Sequence, residues 1–358
     1  MAENLSLSKT FYPEEVQNYL GKFYQKYSLD YILECLENLK DLKVLVVGEA
    51  IIDDYQFGSV IGKSAKEPII ALKYLKGELY PGGSLAIVNH LADFCKEVGL
   101  FAMLGEKDSY EFFIRKNLRG NIKPIFLYKK NSPTIVKRRF LENGTFRKLL
   151  EFYVIDESDL SKEETKEMMK KLKSLLPRYD LVICADFGHG MFNQESRNFL
   201  IDKSKFLSVN TQVNAGNFGY HTISSYPKAN YLCLDEREIR LECRTKNGEL
   251  EEVAKDIFKK INCAHLIVTH GPNGCIGYKN KNKMEIFKVP SFAIKETDST
   301  GAGDAFFAIT APLLFNNVPI EAVGFIGNAV GALAINILGN KKSITKKDLS
   351  GFIKNSLI

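Results

Sequence analysis

Along the chain, short apolar runs alternate with stretches in which apolar residues recur every three or four positions. Residues 1–40 carry the helical period: Val16, Leu20, Phe23, Tyr24, Tyr27, Tyr31, Ile32, Leu36 and Leu39 recur with polar residues between them. From Leu42 the pattern changes. KVLVVGEAIID (43–53) reads as a buried strand that ends in a glycine and acids, and LFAMLGEKD (100–108), DLVICADFG (180–188), FLSVN (206–210), NYLCL (230–234) and HLIVTHG (265–271) read as further strands. Helical patterns lie between them, among them 85–98 and KEETKEMMKKLKSLL. A short strand, KMEIFKV (283–289), precedes two apolar helices over 304–315 and 320–338. Apolar strands alternating with helices predict a mainly parallel sheet covered by helices on both faces, an α/β three-layer sandwich. Two β-rich, turn-rich patches, near 55–80 and 122–150, do not fit the alternation and predict a small β-sheet lid at one edge. The expected organisation is an N-terminal helical extension, 1–40, ahead of one α/β domain, 41–358.

Composition narrows the setting. The chain has 358 residues, 45% hydrophobic and 26% charged, an ordinary balance for a soluble globular protein. No apolar run approaches the roughly 18–20 residues that span a bilayer, and the polar, acidic start MAENLSLSKTFYPEEV is not a secretory signal. Seven cysteines are scattered singly with no CxxC pair, which argues against a zinc site or a disulfide framework and for a reducing cytoplasm. The net charge of +6 suits anionic small substrates. It lacks the basic, aromatic-interleaved stripe of a nucleic-acid binder, and the densest basic run, KNKNK (279–283), reads as a solvated hairpin turn. The five histidines share no metal-ligand spacing and read as polar pocket or surface residues.

The sharpest local signal is ETDSTGAGDAFFA (296–308). In a doubly wound sheet, ligands sit at the carboxyl ends of the strands. Thr300-Gly301-Ala302-Gly303 would turn the chain into a helix beginning at Asp304, where bare backbone N–H groups and the helix dipole make an anion hole. A carboxylate beside a phosphate site is repulsive for simple binding. It makes chemical sense as the base that takes a proton from a hydroxyl attacking that phosphate. As a lone GxGD the same residues would equally make a helix cap.

The longer stretch DSTGAGDAFFA closely resembles the DTxGAGDxF signature of the ribokinase-like, or phosphofructokinase-B, family of carbohydrate kinases. The resemblance runs over roughly 43–356. PGGSLAIVNHLADF (81–94) resembles the family's Gly-Gly segment, VICADFGHGMF (182–192) its D-Y-x-K-G segment, LCLDEREIR (232–240) its Asn-x-x-Glu segment, and LIVTHGPNGCIGY (266–278) the strand beside the nucleotide. Asp54-Tyr55-Gln56-Phe57-Gly58, the Lys137-Arg138-Arg139 strand and the Lys148–Phe152 strand are similar to the heptose-7-phosphate kinase domain of ADP-heptose synthesis enzymes. The nucleotidyltransferase motif GxFDxxHxGH, to which that domain is sometimes fused, is absent from this sequence. The chain departs from the family pattern at Glu49, where an Asp is usual, at Ala86 in place of an Asn, and at Asp235 in place of the Asn of Asn-x-x-Glu.

The resemblance implies ATP and Mg2+ as cofactors and a role for each matching residue. Asp304 is the base, and Gly301, Ala302 and Gly303 hold the transferring phosphate. Asp235 and Glu238 help place Mg2+ through water. Thr269, Gly271, Gly274 and Asn328 form the nucleotide side. Glu49, Asp53, Gly82 and Gly83 line the sugar pocket, with Asp186 and Asn210 in the same crevice. Residues alternate faces along a strand, so Lys137 and Arg139 point together at an acceptor phosphate while Arg138 points away. The polar stretch NTQVNAGNFGYHTI (210–223) either adds acceptor contacts or is a long loop. The expected activity is transfer of the ATP γ-phosphate to a sugar hydroxyl, foremost the anomeric oxygen of a heptose 7-phosphate. A kinase for another sugar, and a binding relative without turnover, remain as alternatives. The expected partners are small molecules and a second copy paired through the lid, with neither nucleic acid nor membrane.

Overall fold

A computed structural model of the chain describes residues 12–279 and 283–357. The first eleven residues of the expected extension and the middle of the KNKNK run lie outside the described residues. The extension forms α1 (Glu14–Lys26) and α2 (Leu29–Glu37), the second started by Ser28, whose hydroxyl accepts the Tyr31 N–H at 3.1 Å. Then come β1 (Lys43–Lys63), β2 (Ile70–Gly83), α3 (Ser84–Leu91), β3 (Glu97–Lys107), α4 (Glu111–Asn117), β4 (Ile122–Pro133), β5 (Ile135–Glu142) and β6 (Lys148–Val154). The second half runs α5 (Lys162–Leu175), β7 (Leu181–Asp186), α6 (Gln194–Lys203), β8 (Leu207–Thr211), β9 (Lys228–Asp235), α7 (Glu236–Glu242), α8 (Leu250–Lys260), β10 (Asn262–Thr269), β11 (Cys275–Lys279), β12 (Glu285–Val289), α9 (Ala302–Phe315), α10 (Ile320–Ala334) and α11 (Lys346–Ser356).

The main sheet has the order β12-β11-β10-β9-β8-β7-β1-β3-β4. From β10 to β4 its neighbours are parallel, and β11 and β12 add an antiparallel edge. The chain winds outward from β1 through β3 to β4 and, on the other side, from β7 through β10. The order therefore reverses between β1 and β7, and a crevice opens at their carboxyl ends. Val44 to Val47 are all fully buried, as an apolar run covered on both faces requires.

β1 does not stop at the crevice. It continues past Ala50 into a second sheet, where it pairs antiparallel with β2 and parallel with β5, which in turn pairs with β6. Register shifts at Phe57/Gly58 and Val60/Gly62 bend it over the site. The lid thus differs from its sequence outline. Ile122–Pro133 joins the main sheet beside β3, because its register with Val98–Lys107 buries Phe126 and Leu127 in the core, and only Ile135–Val154 belongs to the lid. The helix expected over 85–98 ends at Leu91, where Lys96 and Glu97 turn back to donate to the Leu42 carbonyl and start β3. The histidines expected at the pocket or surface divide, and His90, His189 and His221 are buried.

The extension is part of the core. Leu20, Ile32 and Leu36 are fully buried, Lys26 pairs with Glu321 of α10 at 2.5 Å, and the Asn316 side chain donates to Asn38 O at 3.2 Å. Among the described residues no helix is long and apolar enough to cross a membrane. Leu20→Ala, which opens a hole between the extension and the domain, is expected to lower unfolding stability by about 2–5 kcal/mol. Urea denaturation of the full chain checks this, and a single shifted transition is the expected form.

Candidate active site

The crevice holds a cavity of about 590 Å³ between the lid and the carboxyl ends of β8, β9 and β10. Asp304 is on its wall and is buried by the chain around it. The helix that carries it starts two residues earlier than expected, at Ala302, with Gly301 as its N-cap at φ +82. No L residue fits Gly301 easily: a Cβ there would lie 2.3 Å from Asn340 Oδ1. The Ala302 N–H closes a turn onto Ser299 O at 3.2 Å, whereas the Gly303 and Asp304 N–H groups have no partner among the described residues. These two donors, rather than the Ala302 amide, face the cavity from the positive end of α9.

The turn ahead of α9 is fixed by Asp298. Its buried carboxylate accepts from Tyr55 Oη (2.9 Å), Lys148 Nζ (2.7 Å), the Thr300 N–H (3.0 Å) and the Gly339 N–H (2.9 Å). Burial opposes its ionisation, but Lys148 and the two backbone donors hold its pKa below the ordinary value.

Asp304 is tuned the other way. Burial first, then the nearby Asp53 charge, push its carboxyl up to about 7, against the opposing pull of Lys137 and a hydrogen bond from Gln212. The Gln212 Nε2 donates to Oδ1 at 2.6 Å. A carboxylate poised near neutrality beside two unused backbone donors can take a proton while an anion is held in front of it.

On the lid side the cavity meets Asp53, Lys137 and Arg139. Arg139 donates to Asp53 Oδ1 at 2.6 Å and to Glu151 Oε1 at 2.7 Å, so its charge is matched within the chain. The second Asp53 oxygen accepts Asn340 Nδ2 at 2.9 Å. Lys137, also buried, has no carboxylate within ion-pair distance among the described residues and lies against the Tyr153 and Phe187 rings. Burial lowers its pKa. As the strand alternation requires, Arg138 leaves on the other face and pairs with Asp54 at 2.6 Å.

At the opposite end Thr269, Gly271, Gly274 and Asn328 line the cavity. Gly274, at φ +84, leaves room for Val289 O, which would sit 2.0 Å from a Cβ. Asn328 Nδ2 donates to Gly324 O and Cys275 Sγ, each at 3.1 Å. Asp235 and Glu238 face the same cavity and form the capping box of α7. Glu238 accepts the Asp235 N–H at 2.7 Å and the Val213 N–H at 3.2 Å. Burial pushes the Glu238 carboxyl up to about 8.

Several sequence-predicted residues stand apart from the cavity wall. Glu49 is fully buried with both oxygens engaged, accepting the Phe187 and His189 N–H groups at 3.1 Å each. It ties the end of β1 to the loop after β7. Asp186 is enclosed by Arg197 (3.2 Å), His221 (3.2 Å) and the Tyr226 hydroxyl (2.8 Å). Burial opposes its ionisation, while His221, Arg197 and the Tyr226 hydroxyl hold its pKa below the ordinary value. Gly82 lies behind the cavity, its bare Cα giving room to the Asp53 carboxylate; Gly83 is on the wall. Asn210 also lines it, with Nδ2 on Cys233 O at 2.8 Å and a buried Oδ1 that has no partner among the described residues. Gln212, Asn340 and Asp298 were not singled out from sequence. Gln212 lies inside the polar stretch after β8, and Asp298 inside the DSTGAGD signature. Nothing local marks Asn340, which reaches Asp53 from 287 positions away.

Comparison with known proteins agrees with this fold. The family described as pfkB family carbohydrate kinase matches residues 41–347. The bifunctional protein HldE of Histophilus somni (strain 129Pt) is 23% identical over 300 residues, covering 83% of this chain and 61% of that protein. HldE of Shewanella baltica (strain OS185) is 25% identical over 297 residues, covering 83% and 60%. The chain thus spans about three fifths of the length of these relatives. Among solved structures, the tetrameric inhibited form of phosphofructokinase-2 from Escherichia coli superposes with a TM-score of 0.69 at 12% identity, over 87% of this chain and 99% of that one. Arabidopsis thaliana ribokinase complexed with ribose and ATP gives 0.65 at 15% identity, over 88% and 99%. The chain belongs to the pfkB family of carbohydrate kinases, its fold is ribokinase-like, and its reaction class is phosphoryl transfer to a carbohydrate alcohol group.

Two outcomes are expected. Asp304 has a pKa raised on folding, so its contribution to stability is present at low pH and is lost as pH climbs toward and through about 7. Asp304→Asn, neutral throughout, should therefore melt higher than the parent at pH 8 and gain little at pH 4, as thermal scans at the two pH values will read. Glu49→Gln turns one acceptor into a donor facing a backbone N–H, and should cost about 1–3 kcal/mol in urea unfolding.

Proposed function

We propose that this chain transfers the γ-phosphate of ATP to a sugar hydroxyl, with Asp304 as the base. The reading rests on one observation above others: a buried carboxyl held near neutrality, on the cavity wall, directly behind two N–H groups without partners among the described residues. The acceptor hydroxyl would meet Asp304 Oδ2 while Gln212 steadies Oδ1. The Gly303 and Asp304 amides would draw the charge that gathers on the transferring phosphoryl group. The lid strands would hold the acceptor and exclude water. Thr269, Gly271, Gly274 and Asn328 would flank the nucleotide.

Mg2+ fits the corner formed by Asp235 and Glu238. A cation that keeps most of its waters needs only one or two carboxylates, and a carboxyl raised by burial beside other acids is one that a nearby cation would return to its anion. When bound, it would neutralise phosphate charge.

For the acceptor we favour a heptose 7-phosphate, phosphorylated at the anomeric oxygen, supported by the lid-strand sequence around Lys137 and Arg139 and by the HldE relatives. A second reading, a sugar without a phosphate, is favoured by the pairing of Arg139 with Asp53 and Glu151, which takes up one of the two cations expected to meet an acceptor phosphate. A lid-paired homodimer is supported by the apolar side chains that β2 and β6 leave exposed, Ile70, Tyr74, Leu75, Leu150 and Phe152. Seven free cysteines suit a reducing compartment.

ADP release from Mg·ATP across a panel of sugars and sugar phosphates tests the reading. Turnover on one acceptor that falls by about 10²-fold or more in Asp304→Asn is the expected result, with kcat/KM declining as pH drops below about 7. ADP release that survives in the variant would remove Asp304 as the base. Lys137→Met should raise the KM of a phosphorylated acceptor about 10–100-fold, the loss of one charged hydrogen bond, and leave a neutral acceptor almost unaffected.

A further inference from the structure

The segment from Ser291 to Glu296 supplies a long stretch of the cavity wall at the end assigned above to the nucleotide: Ser291, Ala293, Ile294, Lys295 and Glu296 all line it. Yet this segment joins neither strand nor helix. Among the described residues, its own backbone contributes one hydrogen bond, Ala293 N–H to Ser291 Oγ at 3.2 Å; the next anchors, Thr297 and Asp298 N–H to Ile335 O, come after it. A wall without ladder bonds must be held by side chains. One side chain in it is fully buried, Phe292, at 1% exposure.

The aromatic cluster that takes Phe292 is shared between α10 and the N-terminal extension. Phe292 packs edge-on against Phe325 of α10, with ring centroids 5.3 Å apart, and against Tyr19 of α1 at 6.3 Å. Phe325 is in turn stacked on Phe23 of α1, 4.1 Å between centroids and 13° between planes. Tyr19 stacks on Phe23 at 5.7 Å, and Tyr24 meets Phe325 edge-on at 6.0 Å. Phe325 also lies one helical turn before Asn328, which is itself on the cavity wall. Two wall elements thus lean on the same aromatic cluster, and α1 closes it from behind. The Lys26–Glu321 ion pair fastens the far end of α1 to α10.

We propose that α1 is a brace for the nucleotide subsite: Tyr19 and Phe23, which touch no ligand, set nucleotide affinity by fixing Phe292 and with it the wall from Ser291 to Glu296. They are positioning residues. If the wall is correctly placed only part of the time, apparent affinity falls by that fraction. A variant that leaves it ordered about a tenth of the time would raise the nucleotide Kd about tenfold and leave acceptor binding on the lid side unchanged. The inference rests on the nucleotide reading of this end of the cavity.

The test uses the full chain, with ATP and ADP titrated directly, so that no acceptor need be known. Phe23→Ala is compared with Leu36→Ala, a fully buried residue of α2 that removes core packing from the extension away from Phe292. Tyr19→Phe keeps the ring and removes a buried hydroxyl that has no partner among the described residues. The expected result is a nucleotide Kd raised about tenfold in Phe23→Ala, near parental in Leu36→Ala at comparable loss of melting temperature, and near parental in Tyr19→Phe. Tryptic cleavage after the exposed Lys295 should speed up in Phe23→Ala alone. Equal Kd changes in Phe23→Ala and Leu36→Ala would overturn the brace, as would a folded Phe23→Ala with parental Kd and parental cleavage. A parent chain that binds no nucleotide, while Lys295 cleavage still responds to Phe23→Ala, would overturn the nucleotide assignment and keep the mechanical link. No response in either would overturn both.

Discussion

A buried carboxylate must have its charge answered on the spot, because water cannot do it. Asp298 meets that constraint by recruiting four donors from four places: Tyr55 on the long lid strand, Lys148 on β6, Thr300 in its own turn and Gly339 after α10. The turn that delivers α9, the lid and the C-terminal helices are thereby joined at one point. The direction in which the Gly303 and Asp304 amides aim follows from it. So does the approach of Asn340 to Gly301, which leaves no space for a side chain there.

The same rule, applied with fewer partners, produces the chemistry. Asp53 is answered by Arg139 and Asn340. Asp304 is given one side-chain donor, Gln212, and is left with Asp53 nearby. The cavity therefore sorts its carboxyls: Asp53 is matched by a guanidinium, whereas burial raises Asp304 to about 7 and Glu238 to about 8. Such a division is how a single crevice can hold both a fixed scaffold of charge and a group able to exchange a proton.

Behind the cavity a polar frame keeps the two loops of the crevice in register. Glu49 accepts two N–H groups of the loop after β7. From the other side Asn214 and Asn217 both donate to Phe187 O, and Asn217 also to Gln212 O. Gln212 is thus held by its own backbone as well as by Asp304. A residue expected to touch sugar, Glu49, is part of this frame instead, since its longer side chain reaches the 187–189 amides and is consumed there.

The sequence by itself determined the layered α/β architecture, because buried parallel strands must be continuous apolar runs and their helices must carry the 3.6-residue period. It pointed to the TGAGD turn and its carboxylate through the longer DSTGAGDAFFA resemblance, since a lone GxGD serves equally as a helix cap. It also determined the alternation that turns Lys137 and Arg139 inward and Arg138 outward. Only the tertiary structure decided that Ile122–Pro133 pairs with the main sheet, because a strand pattern does not name its partner. Only it decided which charges remain open: Arg139 meets Asp53 and Glu151 while Lys137 has no carboxylate at ion-pair distance among the described residues, and Asn340 finds Asp53 across 287 positions. Local pattern reports what a residue can bury or donate. Which group lies opposite it is set by long-range packing, and that pairing decides whether a charge is scaffold or is free to act.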